Sequence, residues 1–177
     1  MSSTYASTQP ATKPRNQRAL MLAISAAVVL LDRVTKHLVT RLLSTSQVHV
    51  VIPGVFHISH VHNTGAAFSM FAENASPATV RNILIAFSII AAILIFAMLW
   101  RVGRSFSISA VALALILGGA LGNLYDRIRY HYVVDFLAVR IYHYNWPDFN
   151  VADSCICIGA CLLLIEIFRP QSETKSS

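Results

Sequence analysis

The chain has 177 residues, a formal net charge of +6, 55% hydrophobic residues and only 12% charged ones. Soluble domains carry about 25% charged residues, so this composition, with a mean hydropathy of +0.59, excludes an ordinary water-soluble globular protein. Long apolar runs point instead to an integral membrane protein.

In chain order, residues 1–17 (MSSTYASTQPATKPRNQ) are rich in Ser, Thr and Pro and are expected to form a disordered cytoplasmic tail. The run ALMLAISAAVVLL (19–31) follows the basic residues Lys13, Arg15 and Arg18. That order also suits a secretory signal peptide. However, LLDRVTK comes next with no small-residue cleavage site, which favours an uncleaved span over residues 19–42. Asp32 and Lys36, spaced i and i+4, share a face of this helix and can pair, either as a structural ion pair or as part of a site.

The segment 44–80 contains no Lys or Arg and is too long for a plain connector. Its first part, QVHVVIPGVFHISHVHN, is β-branched and aromatic on both sides of Pro53-Gly54, which predicts two short strands around a turn. A small β platform on the outer membrane surface is expected here. FAENASPATV then reads as a short surface helix or turn. His49, His57, His60 and His62 decorate this segment, but no HExxH motif or carboxylate at ligand spacing accompanies them. They are expected to be solvated, with no metal.

Two further spans are predicted at 82–100 and 106–127, separated by the basic loop RVGRS. A bilayer core of roughly 30 Å needs about 20 helical residues. Gly118 and Gly122 at GxxxG spacing allow a neighbouring helix to approach closely. Asn123 and Arg127 share a face, with Asp126 one position round. Asp135 follows in the apolar segment YVVDFLAV. The last span, 151–168, opens with FNVADS, placing Asn150 and Asp153 three residues apart. A carboxylate suits a helix N-terminus, so Asp153 also reads as a simple N-cap. Cys155, Cys157 and Cys161 in this span read as buried small apolar fillers.

Cationic short loops stay in the cytoplasm, so the N-terminal tail, the 101–105 loop and the tail 169–177 are expected inside. The segments 44–80 and 129–150 are then outside, although Arg129 and Arg140 breach the rule. The predicted fold class is an all-α membrane protein of four transmembrane helices, with a small extracytoplasmic β platform between spans one and two. Residues 18–168 would form its one membrane domain. Asp32, Asn63, Asn123, Asp126, Arg127, Asp135, Asn150 and Asp153 then converge at one membrane face. Two carboxylates held close together cannot both ionise easily, so one keeps a proton. Such a pair can activate water and protonate a leaving group, as in an aspartic protease. Residue types alone leave two alternatives open: a proton or ion path using intramembrane polar groups, and a structural assembly factor with GxxxG as its interface.

At LLDRVTK, HNTGAAFS, GNLYDR, VVDF and FNVADS, in that order, the chain closely resembles the bacterial lipoprotein signal peptidases (signal peptidase II). The resemblance covers roughly residues 20–168. It implies an aspartic endopeptidase of the bacterial cytoplasmic (inner) membrane, with both termini cytoplasmic and the active site near the outer face. Such an enzyme removes signal peptides from diacylglyceryl-modified prolipoproteins, cleaving before the lipidated cysteine. Carried onto this sequence, the resemblance makes Asp135 and Asp153 the dyad, supported by Asp32, Lys36, Asn63, Asn123, Asp126, Arg127 and Asn150. Asn123 and Asn150 would orient carboxylates or substrate backbone, and Arg127 would bind a backbone carbonyl or hold Asp126. It implies no cofactor, lipidated prolipoproteins and membrane lipid as partners, no nucleic acid, and a monomer.

Overall fold

A computed structural model describes residues 16–65 and 76–169. It has four long helices: α1 (Arg18–Leu42), α2 (Pro77–Val102), α3 (Ile108–Arg129) and α4 (Val151–Phe168). Strands β1 (Val48–Ile52) and β2 (Phe56–Asn63) follow α1, and β3 (Val133–Ile141) and β4 (Tyr144–Asn145) follow α3.

Local chemistry explains where the helices begin. Ser76 accepts a hydrogen bond from the Thr79 N–H, and Pro77 takes the first helical position, where a missing N–H costs nothing. The apolar run expected from residue 82 is therefore extended back to Pro77. Ser107 caps α3 in the same way, accepting from the Ala110 N–H.

Helices α2, α3 and α4 are long and apolar enough to cross a membrane. Helix α1 is comparable in length, at 25 residues, but carries Asp32, Arg33 and Lys36 within it. Exposed side chains such as Phe87, Ile90, Ile93 and Leu94 cover α2. A surface that apolar marks contact with lipid or protein rather than water. The protein is an integral membrane protein.

Helix α3 is the centre of the bundle and packs on the other three. Its buried face is built from small residues: Ala110, Ala112, Ala114, Gly118, Gly119 and Gly122. A Cβ at Gly118 would lie 2.7 Å from the Ser25 carbonyl oxygen of α1, and one at Gly119 would collide with the Ala152 carbonyl oxygen of α4. Gly159 of α4 returns the favour against α3, 2.7 Å from the Ala112 carbonyl oxygen. Glycine is thus needed for backbone proximity on two sides of α3, where the GxxxG spacing by itself suggested one neighbour. Below these contacts, Met21, Leu99, Leu113 and Leu117 form an apolar cluster joining α1, α2 and α3.

The predicted hairpin is present, with β1 antiparallel to β2. The platform is larger than a feature lying between the first two spans, however, because its order is β1-β2-β3-β4. The apolar segment containing Asp135 is strand β3, which pairs antiparallel with β2 so that Asp135 stands opposite Val61. A pairing between strands so far apart in sequence leaves no local signal in either one. The three cysteines also differ from expectation: Cys157 and Cys161 are exposed on the outer face of α4, and Cys155 is partly so. Only Ala152 and Gly159 of α4 are fully buried, because this helix touches the bundle along a narrow small-residue stripe.

Replacing Gly119 with valine should lower the apparent Tm in detergent, because overpacking against backbone costs about 1–3 kcal/mol. Leu121→Val on the exposed side of the same helix serves as the control, and equal melting temperatures for the two variants would refute the close-approach role.

Candidate active site

The site is built around a buried ammonium group. Lys36 on α1 is 2% exposed. Its Nζ lies 2.9 Å from Asp32 Oδ2, 2.8 Å from Asp126 Oδ2 and 3.0 Å from Asn123 Oδ1. An ammonium has three donors, and all three are used. The pair expected between Asp32 and Lys36 is therefore real, and it is only one part of a network joining α1 to α3.

Arg33 adds a second cation. Its guanidinium contacts Asp126 Oδ1 at 2.6 Å and Asp32 Oδ2 at 3.0 Å, and it lies over the Tyr125 ring at 4.7 Å. Asp32 and Asp126, both 0% exposed, are thus matched by two cations. Such matching is required, because an uncompensated buried charge costs several kcal/mol. Backbone donors add to these contacts. Asp32 Oδ1 accepts from the Ala152 N–H at 3.2 Å, and Asp126 Oδ2 accepts from the Val134 N–H at 3.3 Å. One ion network therefore ties α1, α3, β3 and the first turn of α4 together.

Arg33 was missed by reasoning on helix faces, since its neighbour Asp32 lies only one position away and i, i+1 residues do not face each other. Its length lets it reach across. Arg127 differs in the opposite sense. It is half-buried and near the charges of Asp153, Asp135 and Asp126. Asp126, one of the two partners expected for it beside a backbone carbonyl, is held by Lys36 and Arg33.

From this base Asn123 passes the order on to α4. Its Oδ1 faces Lys36, and its Nδ2 donates to Asp153 Oδ1 at 2.7 Å. Asp153 is not the cap of α4. Asn150 is, and the two form a reciprocal capping box. The Asp153 N–H donates to Asn150 Oδ1 at 2.9 Å, while the Asn150 N–H donates to Asp153 Oδ2 at 3.2 Å. Both oxygens of Asp153 are therefore oriented.

The same Asn150 reaches the other carboxylate. Its Nδ2 donates to Asp135 Oδ1 at 2.7 Å and also lies near Asn123 Oδ1 and the Val134 carbonyl. Asn63, at the end of β2, donates from Nδ2 to Asp135 Oδ2 at 2.9 Å, while its Oδ1 accepts from the Gly65 N–H. Gly65 has a φ of +81°, a conformation glycine adopts freely. Burial pushes the Asp135 pKa up to about 6, and the Asp153 charge adds to the rise, while the Asn63 and Asn150 hydrogen bonds oppose it.

The structure thus brings Asp135, Asp153, Asn63, Asn123 and Asn150 together on one side of the ion network formed by Asp32, Lys36 and Asp126. Two carboxylates bridged by a single asparagine are suited to sharing a proton and orienting water. The histidines do not join them. His60 is buried, contrary to the solvated expectation, with Nδ1 2.9 Å from the Leu43 carbonyl oxygen. His62 stacks on Tyr132, and its pKa is lowered by burial and by His60. Among the described residues, no three His, Cys, Asp or Glu side chains are grouped to hold a metal.

The fold and the buried carboxylate–amide centre define an integral membrane protein with a preorganised polar site at one end of its helices. Residues 24–169 match the family model of signal peptidase (SPase) II. The chain is 43% identical over 153 residues to the lipoprotein signal peptidase of Solibacter usitatus, covering 86% of this chain and 93% of that relative. It is 45% identical over 148 residues to that of Alteromonas mediterranea, covering 84% and 80%. A solved bacterial membrane enzyme superposes with a TM-score of 0.77 at 29% identity, covering 86% of this chain and 95% of that one. The chain belongs to the signal peptidase II family and is a membrane peptidase.

Lys36→Met should remove the shared cation of two buried carboxylates and cost about 3–5 kcal/mol. The expected result is a large drop in folded yield and in the apparent Tm in detergent. A melting temperature equal to that of the parent would show that the network carries no stability.

Proposed function

We infer that this chain is a four-span aspartic endopeptidase of the bacterial cytoplasmic membrane. It removes signal peptides from diacylglyceryl-modified prolipoproteins, cleaving before the lipidated cysteine. The observation that carries this reading is the Asn150 bridge, which hydrogen-bonds Asp135 through its side chain and Asp153 through the capping box.

In this scheme the pair holds one proton. The ionised carboxylate takes a proton from water as the water oxygen attacks the scissile carbonyl carbon. The protonated one gives its proton to the carbonyl oxygen, producing a gem-diol. The C–N bond then breaks as the first carboxyl hands its proton to the leaving amine, and the diol returns a proton to the second. In this scheme Asp135, whose pKa burial pushes up to about 6, carries the shared proton. Asp153, held by Asn123 and the cap, is the base. Arg127 binds the substrate backbone in this scheme, and no metal or other cofactor is called for, since water is the only co-substrate.

Helix α1 supplies the fourth span. Its costly residues Asp32 and Lys36 face the bundle, while Leu30 and Leu31 are exposed on its other side. Arg101 and Arg104, between α2 and α3, favour a cytoplasmic position for that loop and for both termini. The sheet and the dyad then lie at the outer face, where water and a lipid-anchored substrate meet. The protein acts as a monomer, and its partners are the lipidated prolipoprotein and the surrounding lipid.

Asp135→Asn and Asp153→Asn should each lower cleavage of a diacylglyceryl-modified prolipoprotein by about 10²–10⁴-fold or more, with the variants still folded. Cleavage at parental rate by either one would sink the dyad. Asn63→Ala gives a test with a sign. The Asn63 hydrogen bond favours ionised Asp135, so its loss lets the pair keep a proton to higher pH. The alkaline limb of the kcat/KM profile should move upward, and an unmoved or lowered limb would count against Asp135 as the proton carrier.

A further inference from the structure

A groove between α1 and α3 lies on the other side of the ion network from the two carboxylates. Its upper part is a cavity of about 680 Å³ bordered by Arg33, His37, Thr40, Tyr125, Tyr130 and Tyr132. A lower cavity of about 410 Å³, lined by apolar side chains apart from Ser25, lies between α1, α2 and α3 past Ala26, Leu22 and Phe96. Val29 borders both, so the two follow one another along the same face of α1. From Leu22 to Arg33 the face runs about 16 Å at 1.5 Å per residue, roughly half of a 30 Å bilayer core.

Polarity changes along this length in one direction. The lower end has only Ser25 as a polar lining residue, its hydroxyl turned to the Ala114 carbonyl oxygen, whereas the upper end carries Arg33, Thr40 and three tyrosines beside the paired Lys36 and Asp126. Arg33 leaves Nε–H without an acceptor among the described residues, although that atom is buried. A buried donor left unpaired costs about 1–3 kcal/mol, more when charged. Three tyrosines crowd the same end, with Tyr125–Tyr130 and Tyr130–Tyr132 ring centroids 6.2 and 6.0 Å apart. Tyrosines of this kind sit at the headgroup level of membranes.

We propose that this groove is a binding site for one glycerophospholipid, its phosphate and ester oxygens at Arg33 and the tyrosines and one chain along Val29, Ala26 and Leu22. The occupant is recognised by pairing: phosphate and ester oxygens only accept hydrogen bonds, Arg33 and the tyrosine hydroxyls donate them, and the one carboxylate of the lining, Asp126, is already matched by Lys36 and Arg33. The signal helix of a substrate does not fit the role. Val134 of β3 borders the groove, and Asp135, the next residue, points to the opposite face of the strand. A peptide lying in the groove would be on the wrong side of the sheet for the dyad. The site therefore stands apart from the peptidase reading, and its test does not involve cleavage.

The full chain, stripped of lipid in detergent, is titrated with phosphatidylglycerol and followed by native mass spectrometry. The parent should bind one phosphatidylglycerol in preference to others. Ala26→Trp/Val34→Trp, which fills the groove from two exposed positions, should bind it at least tenfold more weakly. Leu31→Trp, on the exposed face away from the groove, should bind as the parent does. Diacylglycerol, which has the chains without the phosphate, should also bind at least tenfold more weakly to the parent. No retained lipid on the parent, or parental affinity in the filled variant, overturns the site. Equal affinity for diacylglycerol overturns the role of the phosphate.

Discussion

One buried ammonium group holds the functional end of this protein in place. Lys36 draws Asp32, Asp126 and Asn123 onto a single point between α1 and α3. Each of those partners in turn holds something else. Asp32 fixes the start of α4 through the Ala152 N–H, Asp126 fixes β3 through the Val134 N–H, and Asn123 fixes Asp153. In a low-dielectric setting such a network rewards completeness and penalises gaps. Gly122 belongs to the same device, since a Cβ there would lie 2.8 Å from Asp32 Oδ2.

Asn150 performs two tasks that usually fall to different residues. As the cap of α4 it satisfies an otherwise unpaired backbone N–H, a contribution typically worth about 1 kcal/mol. As a bridge it sets the distance between the first turn of α4 and strand β3. The capping box turns an ordinary helix-start motif into an orienting frame for Asp153. The carboxylate is fixed by forces that would act on any helix N-terminus, and the asparagine amide is left free to face Asp135.

Strand β3 divides two environments. Val134 looks to the α1–α3 groove and Asp135 to the polar site, as alternation along a strand requires. Its pairing with β2 also delivers Asn63 to Asp135 across 72 residues of chain. The sheet is thus less a separate platform than the means by which the loop after α1 and the segment after α3 share one carboxylate.

Composition and apolar run lengths alone determined a membrane protein of four long helices, because lipid tolerates few unpaired polar groups and this chain's are few. Motif order pointed to the family, and i, i+4 spacing put Asp32 and Lys36 within reach of each other. Periodicity describes one face of one element, however, and says nothing of what that face meets. Tertiary structure alone decided that Asp126 turns to Lys36 and Arg33 while adjacent Arg127 turns elsewhere, since neighbouring residues on a helix point about 100° apart. It also decided that Asn150, not Asp153, caps α4, and that the segment around Asp135 is a strand. Both depend on contacts with residues distant in sequence, whose energies appear only once the chain has brought them together.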